Sequence, residues 1–399
     1  MSDKGRRWPS EAIAGKDERT GAAVWQITNH PSINHGLYFL TSSFLPDEKS
    51  LVLASYRSGA VNYYRVGFPG GEIVQLTDSD GICGFSGVIS RDGSSLWFTR
   101  CSSIVRLSLA DLSEQVIADF ATGTLGEVNL SDDERWVVSA IRFEDQHGIA
   151  VAATDGSGGG IIHRQARVVI HPQFHLADST VIEYAADPAP RIHLIKRDGS
   201  DNRCLYEHGN DEFVVHETWL GGGGDLVFVH WPRAIKLMHL PPGRISVHPE
   251  TLKSHRRDAG ATLVSGCTVS TIAEFNAWHI CPSRDGKVIL CDTNCPDVGL
   301  QLVDVATGKR RTLCYPGSSN GGSQWAKGRY ALKADFEEAA RSGASSLRDA
   351  MSWMEMKADT VYGPQWTHPH PALSRSGRYA TFTSDRTGHP QLYVVAMTE

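Results

Sequence analysis

Near the end of the chain, Gln365, His368 and His370 stand in the run QWTHPHPALSRSGRYATFTSD, with a proline after each histidine. Residues two apart on an extended strand share a face, so the two imidazoles would stand side by side. Neutral imidazole suits first-row divalent metals, an oxygen ligand admits manganese, and a set without thiolates argues against structural zinc. His279, in WHICPSRDG, would complete a set of three imidazoles and one amide oxygen. A proline-held turn is the competing reading of the same histidines. His216, followed by Glu217 in HETWL, is a candidate proton acceptor, since an unperturbed histidine with a pKa of ~6.5 suits proton transfer near neutrality. A histidine bonded to a backbone carbonyl would look the same. Arg191 opens a strand-like alternation in DPAPRIHLIKRDG, where a surface arginine is the plainer reading, and His171 opens HPQFHLAD, in which His175 reads as structural.

These residues are far apart in sequence, so the fold must bring them together. One phrase, a turn followed by alternating apolar residues, recurs seven times: LPDEKSLVLASY, ISRDGSSLWFTR, LSDDERWVVSAI, LADSTVIEYAAD, LGGGGDLVFVHW, PSRDGKVILCDT and LSRSGRYATFTS. Anchored on Asp47, Asp92, Asp133, Asp178, Gly224, Asp285 and Ser376, the spacings are 45, 41, 45, 46, 61 and 91 residues. The early values match a propeller blade of ~40–50 residues, and the last two carry insertions. A single four-stranded meander cannot bury both faces, whereas seven packed radially can. The chain is therefore expected to be all-β, one seven-bladed β-propeller over residues 1–399. Residues 22–28 would supply the missing strand of the last blade. The run 331–359, rich in helix formers, would be a small helical insertion before that blade. His35, His171, His216, His279, His368 and His370 all fall at or just before the first strand of a blade, so the propeller would gather them around its axis.

The charge of −6 from 39 Lys+Arg and 45 Asp+Glu is spread without a basic block, which disfavours nucleic acid as a partner. No window approaches the ~18–20 apolar residues of a membrane span, and the polar start lacks the apolar core of a secretory signal. No membrane association and a cytoplasmic location are expected. The eight cysteines show no C-x-x-C and read as reduced thiols. Neither a serine nucleophile nor a phosphate loop is expected.

The motifs together resemble the oligogalacturonate lyases, polysaccharide lyases built on a seven-bladed propeller, and the likeness covers nearly the whole chain. It is carried by residues 61–117, HETWL, WHICPSRDG and HPHPALSRSGRYATFTSD, the Q-x-x-H-x-H pattern being the most specific. The resemblance implies a metal shell favouring Mn2+, with other first-row divalent metals possible, on His279, Gln365, His368 and His370. It implies an active-site histidine at His216 and an active-site arginine at Arg191, with Arg191 and His171 also facing substrate. The implied activity is β-elimination of short oligogalacturonates, giving 5-dehydro-4-deoxy-D-glucuronate-type products in pectin degradation. Residues 153–170 and 331–359 depart from the family pattern. A propeller lyase for another uronic-acid saccharide, and a non-catalytic TolB-like or WD-like binding propeller, are the alternatives.

Overall fold

The computed structural model describes residues 2–209, 212–240, 255–256, 262–263, 267–322 and 363–397. Seven antiparallel sheets follow one another along the chain, their first strands beginning at Asn34, Val88, Thr124, Val168, Val214, Ala277 and Ala372. The protein is an all-β, seven-bladed propeller. A small extra sheet joins Tyr206–Glu207 to Thr262–Leu263 and His255–Arg256. Among the described residues, helix is limited to the single turns Gly221–Gly223 and Gln365–Thr367. The helical insertion expected over 331–359 lies outside the described residues. Residues 153–170 hold the outer strand Gly159–Gln165 of the third blade and the start of the fourth.

The recurring phrase is a physical device. In SRDG, SDDE and SRDG, the aspartates Asp92, Asp133 and Asp285 accept the hydroxyl of the serine two residues back at 2.7, 2.6 and 2.7 Å. Each also accepts the backbone N–H two residues on, from Ser94, Arg135 and Lys287 at 2.9, 3.2 and 3.2 Å. The residue between, Gly93, Glu134 or Gly286, takes the left-handed conformation with φ of 73°, 53° or 70°, which such a tight turn requires. Each device turns the chain from the first strand of a blade into the second.

Apolar residues on both faces of the sheets are buried between neighbouring blades. Seven such clusters run around the ring, from Leu37, Val52 and Phe98 between the first and second blades to Ile27, Leu392, Val394, Leu51 and Tyr64 between the last and the first. The last blade takes three strands from the end of the chain and a fourth, Ala23–Gln26, from its beginning, with Val24 opposite Val395. Two strands not expected from the sequence extend this arrangement: Ile13–Lys16 outside Ala23–Gln26, and Arg7–Trp8 beside Ile73–Gln75 of the first blade. Both cover sheet edges that would otherwise stand open.

Leu392 is fully buried where the last blade meets the first. Leu392→Ala is expected to lower stability by about 2–5 kcal/mol, whereas Val116→Ala, at a residue 51% exposed, should change it by under about 0.5 kcal/mol. Chemical denaturation of the two variants checks both values.

Candidate active site

The first strands of the third to sixth blades break register at one corresponding place: between Leu125 and Val128, Ile170 and Gln173, Val215 and Thr218, and Ala277 and Ile280. The residues lifted out of the ladder include Glu127, His171, His216 with Glu217, and His279. A bulge re-aims side chains that regular alternation would send to the two faces of a sheet. His171 and His216 adopt φ of 54° there, and His370 adopts 43°, conformations that non-glycine residues rarely hold outside over-determined sites.

The result is a buried group of imidazoles drawn from four blades. The ring centroids of His279 and His370 lie 3.8 Å apart, those of His279 and His368 5.8 Å, and those of His368 and His370 6.0 Å. His216 is 4.5 Å from His279 and 6.3 Å from His171. His368 and His370 precede their strand, which begins at Ala372, so the strand geometry expected for them is corrected: irregular chain after the turn Gln365–Thr367 presents both rings. Gln365 is half-buried in that turn, three residues before His368. His175 stands apart, edge-on to Trp219 at 4.6 Å, its Nδ1 accepting the Ala177 N–H. His35 stacks on Phe85 at 4.2 Å with its Nδ1 beside Gly36 O.

Arg191 lies just before its strand, as its alternation suggested, but it is not a surface residue. Only 5% exposed, it donates from Nε to Glu217 Oε2 and from Nη1 to Asp187 Oδ2, both at 2.8 Å. Glu217 Oε1 lies 3.5 Å from His171 Nδ1, and His171 Nε2 is 2.7 Å from the Tyr38 hydroxyl. Two hydrogen-bonded pairs, Arg191 with Glu217 and His171 with Tyr38, therefore meet at the 3.5 Å approach of His171 Nδ1 to Glu217 Oε1. Against the cost of burial, the carboxylates of Asp187 and Glu217 hold the Arg191 guanidinium above its ordinary pKa. Burial raises Glu217, but Arg191 and His171 outweigh it and hold the carboxyl below the usual range. Burial, and then the negative charge of Glu217, push the Glu183 carboxyl well above that range. A fixed cation beside two carboxyls whose affinities for a proton are driven apart is the electrostatic signature of this side of the site.

The other side is neutral. Burial, followed by the neighbouring histidines, pushes His279 and His370 well below the ordinary histidine value; for His216 burial, then His279, His171, Arg191 and His370, act the same way. Each thus keeps a lone pair on one ring nitrogen near neutral pH. His279 Nδ1 donates to Asp292 Oδ2 at 2.7 Å, which leaves its Nε2 as the donor atom toward a ligand. His370 Nε2 and His216 Nδ1 are buried without a hydrogen-bond partner, a costly state for a ring nitrogen. Among the described residues, no three His, Cys, Asp or Glu side chains already converge as a coordination sphere. The rings would have to turn about χ2, a soft torsion, to share one cation. The imidazoles of His279 and His370, both held neutral by burial, with the His368 ring and the nearby Gln365 amide nonetheless have the donor chemistry of a first-row divalent metal.

Several residues of this site were not singled out from the sequence. Phe39, in an irregular segment of GLYFLTSSF, packs its ring 5.0 Å from His279, 5.4 Å from His216 and 6.1 Å from His370. Tyr38 sits beside it, and Glu127 accepts the His171 backbone N–H from the preceding blade. Asp292, in LCDTNCP, is the most consequential. Burial pushes its carboxyl up to about 7 against the hydrogen bonds from His279 and His370. Gly317–Gly321 has the G-x-S-x-G spacing, contrary to the expectation of no nucleophile motif. It lies in irregular chain after the sixth blade, and both Ser319 N and Ser319 Oγ are engaged by Asp385. A nucleophile elbow needs a strand-to-helix turn, so Ser319 has no such setting. Glu217→Gln, which breaks a fully buried ion pair, should cost about 3–5 kcal/mol. Asp187→Asn, at a carboxylate 46% exposed, should cost under about 1 kcal/mol, and thermal or denaturant unfolding separates the two.

A family model described as oligogalacturonate lyase matches residues 2–155. Two curated relatives align over nearly everything. The oligogalacturonide lyase of Pectobacterium atrosepticum is 22% identical over 424 residues, and the oligogalacturonate lyase of Dickeya dadantii 23% over 430, each covering 99% of this chain and 98% of the relative. Among solved structures, an oligogalacturonate lyase in complex with manganese superposes with a TM-score of 0.76 at 20% identity, covering 100% of this chain and 99% of that one. An oligogalacturonate lyase from Vibrio parahaemolyticus superposes with a TM-score of 0.74 at 20% identity, covering 99% of each chain. At such identity the structures speak for the fold, while the relatives and the family model add a likeness in sequence. The resemblance carried by the motifs is therefore one to the oligogalacturonate lyases, met in sequence from end to end and in the architecture of the propeller.

Proposed function

We propose that this chain is a metal-dependent lyase that cleaves short oligogalacturonates by β-elimination, releasing 4,5-unsaturated or keto-uronate products. The observation that carries the proposal is the meeting of His216, His279, His368 and His370, from three successive blades, beside the buried Arg191–Glu217 pair. A scaffold propeller has no use for buried imidazoles with unsatisfied nitrogens at its axis. The names of the relatives supply the substrate class. We assign His279, His368, His370 and Gln365 as the holders of a divalent cation, manganese first because a similar lyase was solved with it.

Elimination removes the proton at C5 of the uronate and expels the oxygen at C4, and the difficulty is that C5 lies next to a carboxylate already negative. Bound there, a divalent cation would act as a Lewis acid on that carboxylate and lower the energy of the charge that grows on it. His216, neutral because buried among other imidazoles, takes the proton from C5. Arg191 is the fixed positive charge that binds a uronate carboxylate. With two carboxylates on its guanidinium it is a poor base, which favours His216 over it. His171, tied to Tyr38 and Glu217, faces the same space and would contact the sugar. The eight thiols are unbridged, in keeping with the cytoplasmic location proposed for the protein.

Incubation with digalacturonate should raise the absorbance of a conjugated product near ~235 nm, chelation should abolish the rise, and Mn2+ should restore it. His279→Ala and His368→Ala should abolish turnover with the fold kept. His216→Ala should lower kcat by about 10²–10⁴-fold with Mn2+ affinity unchanged. Full activity in either ligand variant would remove the metal assignment, and an undiminished rate in His216→Ala would remove that histidine as the base.

A further inference from the structure

The second strand of the sixth blade, Val288–Thr293, ends in a carboxylate that touches two of the histidines assigned to the cation. Asp292 is 1% exposed. Its Oδ1 accepts the His279 backbone N–H at 2.7 Å, and its Oδ2 accepts the His279 Nδ1–H at 2.7 Å and the His370 backbone N–H at 3.2 Å. His279 belongs to the sixth blade and His370 to the mouth of the seventh. One side chain therefore fixes the ring of the first and the left-handed backbone of the second, whose φ is 43°.

We propose that Asp292 is the positioning residue of the cation site: it holds the His279 proton on Nδ1, so that Nε2 is bare toward the cation, and it ties the two ligand-bearing blades together. The proposal rests on the assignment of His279 and His370 as ligands. Both oxygens of Asp292 already accept backbone N–H groups, which makes the carboxylate the acceptor and Nδ1 the protonated nitrogen. A carboxylate behind a metal-bound imidazole sets its tautomer and strengthens the opposite nitrogen as a donor.

Asp292→Asn is the informative change because it keeps the shape and alters only which atoms donate. In either orientation the new amide group turns N–H bonds onto a backbone N–H. The contact to His370 N, at 3.2 Å, is longer than the 2.7 Å contact to His279 N, so the NH2 takes the place of Oδ2. It then donates to His279 Nδ1, and the ring proton moves to Nε2. The lone pair that faced the cation is thereby lost, together with the hydrogen bond from the His370 backbone N–H.

The test uses the full chain, stripped of metal and labelled with 15N-histidine, His279 being identified from the signals lost in His279→Gln. Imidazole 15N shifts of the unsubstituted protein should show Nδ1 protonated and Nε2 bare, and Asp292→Asn should exchange the two. Mn2+ titration should show affinity weakened about 10–100-fold in Asp292→Asn, with the circular dichroism spectrum kept. An Nε2-protonated His279 in the unsubstituted protein overturns the proposal. So does Asp292→Asn affinity within tenfold of the original while His279→Ala has lost Mn2+ binding, a result that leaves the ligand assignment standing. Unchanged Mn2+ affinity in His279→Ala removes the ligand assignment itself, and the proposal with it.

Discussion

A four-stranded sheet with apolar side chains on both faces needs a neighbour on each side, and closing seven of them into a ring is the constraint on which everything else here depends. The inter-blade clusters supply the driving force, and the strand lent by the start of the chain to the last blade closes the circle. Radial packing then has an unavoidable consequence for the axis. Side chains re-aimed from the first strands of successive blades come close to their counterparts, and here they are buried together. In this protein the groups that meet are imidazoles, carboxylates, the Arg191 guanidinium and aromatic rings such as Phe39 and Trp278.

Such a meeting of polar groups is tolerated because the charges are sorted. Arg191 neutralises Glu217, burial and Glu217 push the Glu183 carboxyl up, and burial holds His216, His279 and His370 well below the ordinary histidine value. Chemistry is distributed along the same division. The charged side suits recognition of an acidic sugar, whereas the neutral side offers lone pairs, one set for a cation and one for a proton. The bulges that create this arrangement oppose the regularity of the sheets, and the left-handed histidines within them persist because both flanking strands are anchored by apolar burial.

Much of this is written locally in the sequence. The Ser-x-Asp turns could be read as repeats because each device is satisfied within six residues, and the histidines stood out because they recur at one point of that repeat. What could not be read depends on register. A bulge changes no residue type, so the sequence of HPQFHLAD does not show that His171 leaves the ladder. Asp292 looks like any turn aspartate at a strand end. Its partners are 13 and 78 residues away, and only the pairing of two blades brings them to it. Arg191 read locally as a surface residue because its two carboxylates give no local sign, and Phe39 was not singled out because its segment belongs to no strand.

The central claim is that distant blade mouths share one cation. Diffraction from crystals soaked in Mn2+, recorded at the manganese absorption edge, tests it most directly. The account predicts one strong anomalous peak within coordination distance of imidazole nitrogens from His279, His368 and His370, with Asp292 still behind His279. A peak elsewhere, or none at these rings while they remain packed around Phe39, would contradict it.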